Sequence, residues 1–235
     1  MYPNNPIQPP FFEFGPKAYI YGPMLFKLVK YAQAASEKYE VPVIITPQNV
    51  DIYPLSHTFS SLYICAQHMD YLRPGRGLGS VLPEAVKSAG AKCVMLNHAE
   101  KPLSLSDLSK TIRRADEVGL ISIACADSLE DAIAIAKLAP NIMIAEPTEL
   151  IGTGTRSDQE YVTNITREIK KINPRIHILQ SAGIRSPEDV YDVIYAGADA
   201  TGCTSAVTTA SDPAHMLTEM IHAVRRAWND RKLKE

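Results

Sequence analysis

The chain has 235 residues, of which 46% are hydrophobic and 21% are charged, and its formal net charge at pH 7 is −2. This composition is typical of a globular protein with one large core, and an α/β barrel of this length would form a single domain. The nearly balanced charge argues against a nucleic-acid or anionic-membrane surface, and no segment approaches the roughly 18 apolar residues of a membrane span. We therefore expect neither nucleic acid nor a membrane as a partner.

Four cysteines, Cys65, Cys93, Cys125 and Cys203, lie far apart in or beside apolar runs, and none forms a Cys-x-x-Cys pair. This usage predicts reduced, buried thiols and a cytoplasmic protein. Cys65 and His68 have a spacing that two metal ligands could have, but no second pair completes a tetrahedral site. We therefore predict no metal.

Prolines dominate the first ten residues, which predicts an extended arm at 1–10 followed by one barrel domain at 11–235. From residue 11 onward, short apolar runs alternate with segments whose apolar residues recur at helical spacing. The predicted strands cover residues 11–14, 41–45, 62–66, 93–96, 120–124, 142–145 and 176–179, with a weak eighth strand near Ala200.

Capping signals mark the starts of the intervening helices. Ser104, Asp127 and Ser157 each stand three residues before a carboxylate, and Ser186 is followed by proline at the first helical position. Strands that alternate with helices in this way run parallel and are joined by right-handed crossovers. Eight such units predict a closed (βα)8 TIM barrel, and the lack of a Gly-x-Gly-x-x-Gly motif after the first strand argues against a dinucleotide-binding sheet.

Reactive side chains and small residues follow several of these strands. Functional residues of a parallel barrel lie at the carboxyl ends of the strands, so these positions should surround one mouth. The residues are Lys17, His98, Glu146, Gly183, Thr204 and Ser205.

Each of these residues has an ordinary explanation by itself, such as a solvated lysine, a structural histidine or a turn glycine. Together, a carboxylate, an imidazole and an ammonium group at one mouth predict proton abstraction next to a carbonyl. A carboxylate base would remove the proton, a neutral imidazole would polarise the carbonyl, and a lysine would offset the charge of the enediolate. Backbone N–H groups after strands seven and eight would hold a phosphate.

Residues 145–154, AEPTELIGTG, resemble the base-and-lid segment of triosephosphate isomerases, especially the short archaeal type. Residues 66–70, 81–85, 96–100 and 182–184 extend the similarity over nearly the whole chain. The resemblance implies an enzyme without a cofactor that interconverts glyceraldehyde 3-phosphate and dihydroxyacetone phosphate through an enediolate. It implies a homo-oligomer, dimer or tetramer. It also assigns the catalytic roles to Glu146, His98 and Lys17, a neighbouring carboxylate to Glu100, and phosphate contacts to Gly152, Gly183, Thr204 and Ser205.

Several substrate-contacting positions depart from that family. Gly15 replaces an asparagine two residues before the lysine, and Ala99 replaces a serine next to the histidine. The phosphate loops also differ, at Ser181 and at residues 204–206, as does the loop at 78–80. An isomerase of a larger tetrulose or pentulose phosphate therefore stays open as an alternative, as does a barrel that binds a sugar phosphate without turnover.

Overall fold

The computed structural model describes residues 7–145 and 159–234, with the backbone alone for residues 159–162. No helix in these ranges is long and apolar enough to cross a membrane. Eight parallel strands pair in sequence order, and β1 also pairs with β8, so the sheet closes into a barrel. The strands are β1 (Phe11–Phe14), β2 (Val43–Ile45), β3 (Tyr63–Ala66), β4 (Cys93–Leu96), β5 (Ile121–Ala126), β6 (Ile142–Ala145), β7 (His177–Gln180) and β8 (Ala200–Cys203).

Helices surround this barrel, as expected for a (βα)8 fold, which confirms the predicted fold class. A short 3-10 helix, Asn49–Asp51, lies between β2 and the second helix. The α-helices in the described residues are α1 (Gly22–Tyr39), α2 (Ile52–Thr58), α3 (Pro83–Ser88), α4 (Leu105–Val118), α5 (Leu129–Ala136), α6 (Gln159–Ile172), α7 (Pro187–Tyr195), α8 (Ser205–Thr208) and α9 (Pro213–Lys232).

Two apolar layers, one inside the barrel and one between the strands and the helices, explain why each strand is a continuous apolar run in the sequence. Side chains alternate along a strand, so in β1 Phe11 joins the cluster inside the barrel while Phe12 and Phe14 pack against the helices. Both faces of each strand are therefore buried, as is usual for parallel strands covered by helices. The interior cluster also contains Ile7, which is 0% exposed although it precedes the first strand. Residues 1–6 lie outside the described residues, so the boundary of the N-terminal arm at residue 10 stays a prediction.

Most strand positions agree with the sequence analysis, but several boundaries and one cap were wrong. Strands two, three, five and seven begin one or two residues later than predicted, the fifth runs to Ala126 and the seventh to Gln180. The N-cap of α5 is Ser128, not Asp127, because the Ser128 hydroxyl accepts a hydrogen bond from the Asp131 backbone N–H. The predicted caps at Ser104 and Ser186 are confirmed, and Ser157 lies outside the described residues.

Candidate active site

A cavity of about 900 Å³ opens at the carboxyl ends of the strands. Ligand pockets typically measure roughly 300–1,000 Å³, so this volume does not by itself select one sugar length. The predicted site residues in the described chain all line it: Lys17, His98, Glu100, Gly183, Thr204 and Ser205. Glu146 and Gly152 lie outside the described residues, so their positions stay predictions.

Lys17 is held in an unusual backbone conformation in the loop after β1. Its φ is 49°, a region that costs a non-glycine residue roughly 1–3 kcal/mol. Two side-chain amides fix this turn, because Gln48 Nε2 and Gln67 Nε2 donate to the Lys17 carbonyl oxygen at 2.9 and 3.0 Å. The Lys17 Nζ atom lies 2.6 Å from Glu100 Oε1. The lysine is therefore positioned at both its backbone and its ammonium group.

His98 follows β4 and is oriented by the residue before it. Asn97 has φ 58°, and its side-chain amide donates to the Cys125 carbonyl while its Oδ1 accepts from the Leu103 N–H. The backbone N–H of Glu100 donates to His98 Nδ1 at 3.1 Å. Since Nδ1 accepts this bond, the neutral ring carries its proton on Nε2, where it is available as a hydrogen-bond donor.

The electrostatics of the loop favour this neutral ring. Burial lowers the pKa of His98, the Lys17 ammonium group lowers it further, and Glu100 partly opposes them. The pKa of Glu100 is itself lowered, mainly by its hydrogen bond from Lys17. The arrangement therefore keeps the histidine neutral and the carboxylate charged near neutral pH.

Two substitutions are expected to move the pKa of His98 in opposite directions. Lys17→Met removes the cation that disfavours the imidazolium, so the pKa should rise, whereas Glu100→Gln removes the anion that favours it, so the pKa should fall. NMR titration of the ring resonances measures both, with His98→Gln identifying the signal. Shifts of the same sign in the two variants would contradict the described electrostatics.

Gly183, Thr204 and Ser205 lie together on the side of the cavity formed by β7 and β8. Gly183 has φ 72°, a left-handed conformation that favours glycine. The Thr204 hydroxyl donates to the Gly15 carbonyl at 2.7 Å and so ties the loop after β8 to the loop after β1. Ser205 begins the four-residue helix α8.

Sequence reasoning missed several residues that build this site. Gln48 and Gln67 brace Lys17; both come directly after or close to a strand end, the position already used to find the other residues. Glu13 also lines the cavity. The sequence feature that could have identified it is a single charged residue inside the apolar run of β1. The charge was overlooked because the strand as a whole is apolar.

The four cysteines are all buried and form no disulfide, as predicted. In the described ranges, no group of three or more His, Cys, Asp or Glu side chains could hold a metal ion. The Nε2 atom of His68 instead lies 3.3 Å from Asp70 Oδ1.

Comparisons with known proteins connect this chain to one enzyme family. The family model described as Triosephosphate isomerase matches residues 23–224. The chain is 37% identical to the triosephosphate isomerase of Sulfurisphaera tokodaii, over 96% of this chain and 100% of that protein. It is also 37% identical to the enzyme of Methanothermus fervidus, over 85% and 91%, and 32% identical to that of Methanocaldococcus jannaschii, over 83% and 90%.

Proposed function

Because the chain belongs to the triosephosphate isomerase family, we propose that Glu146, His98 and Lys17 perform the catalysis of its aldose–ketose isomerase reaction. The enzyme interconverts glyceraldehyde 3-phosphate and dihydroxyacetone phosphate, and nothing in the comparisons favours a larger ketose phosphate or a barrel without turnover. The observation that carries the assignment of roles is the Glu100 N–H bond to His98 Nδ1, since it leaves an N–H donor on Nε2.

In this mechanism the carboxylate of Glu146 removes the proton from the carbon next to the carbonyl group. His98 Nε2–H donates to the substrate oxygen on which charge develops, and then exchanges a proton between the two oxygens. Lys17 lies at the same mouth and stabilises the negative enediolate. The proton returns from Glu146 to the neighbouring carbon, which completes the isomerisation.

The phosphate group is assigned to the side of the cavity formed by the loops after β7 and β8. Gly183 and Ser205 line that side, and Thr204 fixes the backbone between them and the loop of Lys17. We assign Gly152, from the segment that follows the base, to the same phosphate. Backbone N–H groups suit this task because they bind an anion without adding a competing charge.

A substrate panel tests the assignment of the reaction. Initial rates are measured for glyceraldehyde 3-phosphate and for tetrulose and pentulose phosphates, with the wild type and with His98→Gln. We expect the triose phosphate to give the highest kcat/KM, and the His98→Gln variant to lose most of it. A faster tetrulose or pentulose phosphate would mean that the altered mouth serves a larger substrate.

We also propose that the protein assembles as a homo-oligomer through the first three βα units. The Gly22 N–H donates to the Asp51 carboxylate at 2.9 Å and thereby joins the start of α1 to the loop after β2. Eight of the eleven large apolar side chains that are exposed in the described residues belong to these units, and exposed apolar surface favours an interaction site. We propose that six of them form the interface and call these six the apolar face: Tyr19, Tyr21, Met24, Val50, Tyr53 and Leu78.

Replacing Leu78 with serine is expected to shift the protein toward the monomer, because Leu78 is the most exposed side chain of the apolar face. Size-exclusion chromatography with light scattering measures the mass over a range of concentrations. Leu233→Ser is the matched control, since Leu233 is 85% exposed near the end of the last helix. A monomeric wild type, or an equal effect of both substitutions, would exclude this interface.

The compartment that we propose is the cytoplasm, where four buried cysteines without disulfides would remain reduced.

A further inference from the structure

Glu13 is a buried carboxylate that the mechanism above does not use. It lies in β1 between Phe12 and Phe14, which face the helices, so its own side chain points into the barrel. Its exposure is only 5%, yet it lines the same cavity as Lys17 and His98. A buried carboxylate is energetically unfavourable unless it is well bonded, so its position at the bottom of this cavity requires an explanation.

The Glu13 carboxylate accepts a hydrogen bond from a neighbouring hydroxyl group and lies near two buried thiols. The Thr46 hydroxyl donates to Glu13 Oε1 at 2.5 Å, a length typical of a hydroxyl that donates to a charged carboxylate. Glu13 also interacts electrostatically with the thiols of Cys65 and Cys203. Burial is the main cause of the raised pKa of both thiols. Cys93 raises the pKa of Cys65 further, and Glu13 adds to the effect at both, so both thiols stay neutral.

Two glycines provide the space that this carboxylate occupies. A Cβ atom at Gly15 would lie 2.9 Å from Glu13 Oε1, and one at Gly202 would lie 2.9 Å from Glu13 Oε2 and 2.6 Å from the Glu13 backbone oxygen. Neither glycine has a positive φ, so backbone conformation does not explain them. Space for the Glu13 carboxylate explains Gly15. At Gly202, both the backbone oxygen and the carboxylate of Glu13 leave no room for a Cβ atom.

The charge is not needed as a partner for the catalytic lysine. Lys17 Nζ already pairs with Glu100 at 2.6 Å. A carboxylate at the bottom of a ligand cavity accepts hydrogen bonds and repels anions, so it favours a ligand that presents a hydroxyl group there.

We propose that Glu13 is a specificity-determining residue that accepts a hydrogen bond from a hydroxyl group of the bound sugar phosphate. This inference rests on the proposed function, because it takes the substrate to lie between Lys17, His98 and the phosphate-binding side. Glu13 would thereby select a hydroxyl over a carboxylate at the part of the ligand that it contacts.

Two inhibitors test this selection in the Glu13→Gln variant. Glycerol 3-phosphate presents hydroxyl groups and 2-phosphoglycolate presents a carboxylate, while both carry a phosphate group, so the ratio of their inhibition constants isolates the contact at Glu13. The neutral amide is a weaker acceptor, so glycerol 3-phosphate should bind roughly five- to tenfold more weakly. Without the repulsion, 2-phosphoglycolate should bind more tightly. An unchanged ratio would overturn the proposal.

A second variant keeps the test decisive if Glu13→Gln does not fold. Gly15→Ala retains the carboxylate but pushes it aside, since the added Cβ would lie 2.9 Å from Oε1. We expect it to change the inhibitor ratio in the same direction. Asp51→Asn is the matched control, because Asp51 is a buried carboxylate that bonds the Gly22 N–H and does not line the cavity. It should lower the melting temperature and leave the ratio unchanged.

The two inferences fail in different ways. If the wild type turns over glyceraldehyde 3-phosphate but the inhibitor ratio does not change in either Glu13→Gln or Gly15→Ala, the role of Glu13 is wrong and the proposed function stands. If the wild type turns over none of the sugar phosphates of the substrate panel, the proposed function is wrong, and with it the role of Glu13.

Discussion

Replacing Glu146 with glutamine is expected to lower kcat by roughly 10²–10⁴-fold, the usual contribution of a general base. The amide has nearly the same size as the carboxylate but cannot take a proton from carbon, so the loss should appear in the chemical step. The inhibition constant for inorganic phosphate should change little, because we assign the phosphate to other residues. Steady-state kinetics with glyceraldehyde 3-phosphate and phosphate inhibition measure the two effects together.

Glu149→Gln is the matched control for this experiment, since it removes the second carboxylate of the same segment three residues further along. It should retain most of the wild-type kcat. Equal losses in the two variants would mean that the segment responds to any removal of charge. A Glu146→Gln variant with the wild-type rate would show that Glu146 is not the base.

Replacing Lys17 with methionine is the second change for which we expect a large effect, a loss of roughly 10²–10³-fold in kcat/KM. The ammonium group provides its stabilisation mainly when the enediolate forms, because the charge on the substrate oxygen grows in that step. The effect on stability should be small. The ion pair with Glu100 is exposed on the Glu100 side, and such pairs contribute about 0–1 kcal/mol.

Lys101→Met provides the control for Lys17, because both lysines line the cavity. We expect Lys101→Met to keep kcat/KM within a few-fold of the wild type, and we expect both variants to melt within a few degrees of it. Measuring kcat/KM together with the melting temperature separates lost chemistry from lost folding. If both lysine variants lost activity equally, general electrostatic attraction of the substrate would replace the specific role of Lys17.

The sequence predicted the barrel because each strand is buried on both faces and each helix on one. Apolar runs therefore predicted the strands, and helical spacing predicted the helices. Even the weak strand predicted near Ala200 corresponds to β8. Helix boundaries were predicted less accurately where two neighbouring residues could both serve as the N-cap. Asp127 and Ser128 are both good N-caps, and only the geometry of the chain selects Ser128.

The site was partly predictable for a related reason. Lys17 and His98 follow strands, so the topology alone brings them to one mouth. The contacts that set the chemistry of Lys17 and His98 depend on which residues lie close together in the fold, and the sequence alone does not show this. The bonds of Gln48 and Gln67 to the Lys17 carbonyl join residues far apart in the chain, and no local pattern records them. Glu13 was missed because it is a single charge in an apolar strand, and one of the two glycines beside it, Gly202, is distant in the sequence.

Isomerisation of glyceraldehyde 3-phosphate in D₂O is the measurement that tests the proposed mechanism most directly. A carboxylate base that holds the proton exchanges it with solvent, so the product should carry deuterium on the carbon that receives the proton, and Glu146→Gln should abolish its incorporation along with the turnover. Deuterium incorporation and turnover that both persist at the wild-type rate in Glu146→Gln would contradict proton transfer by Glu146.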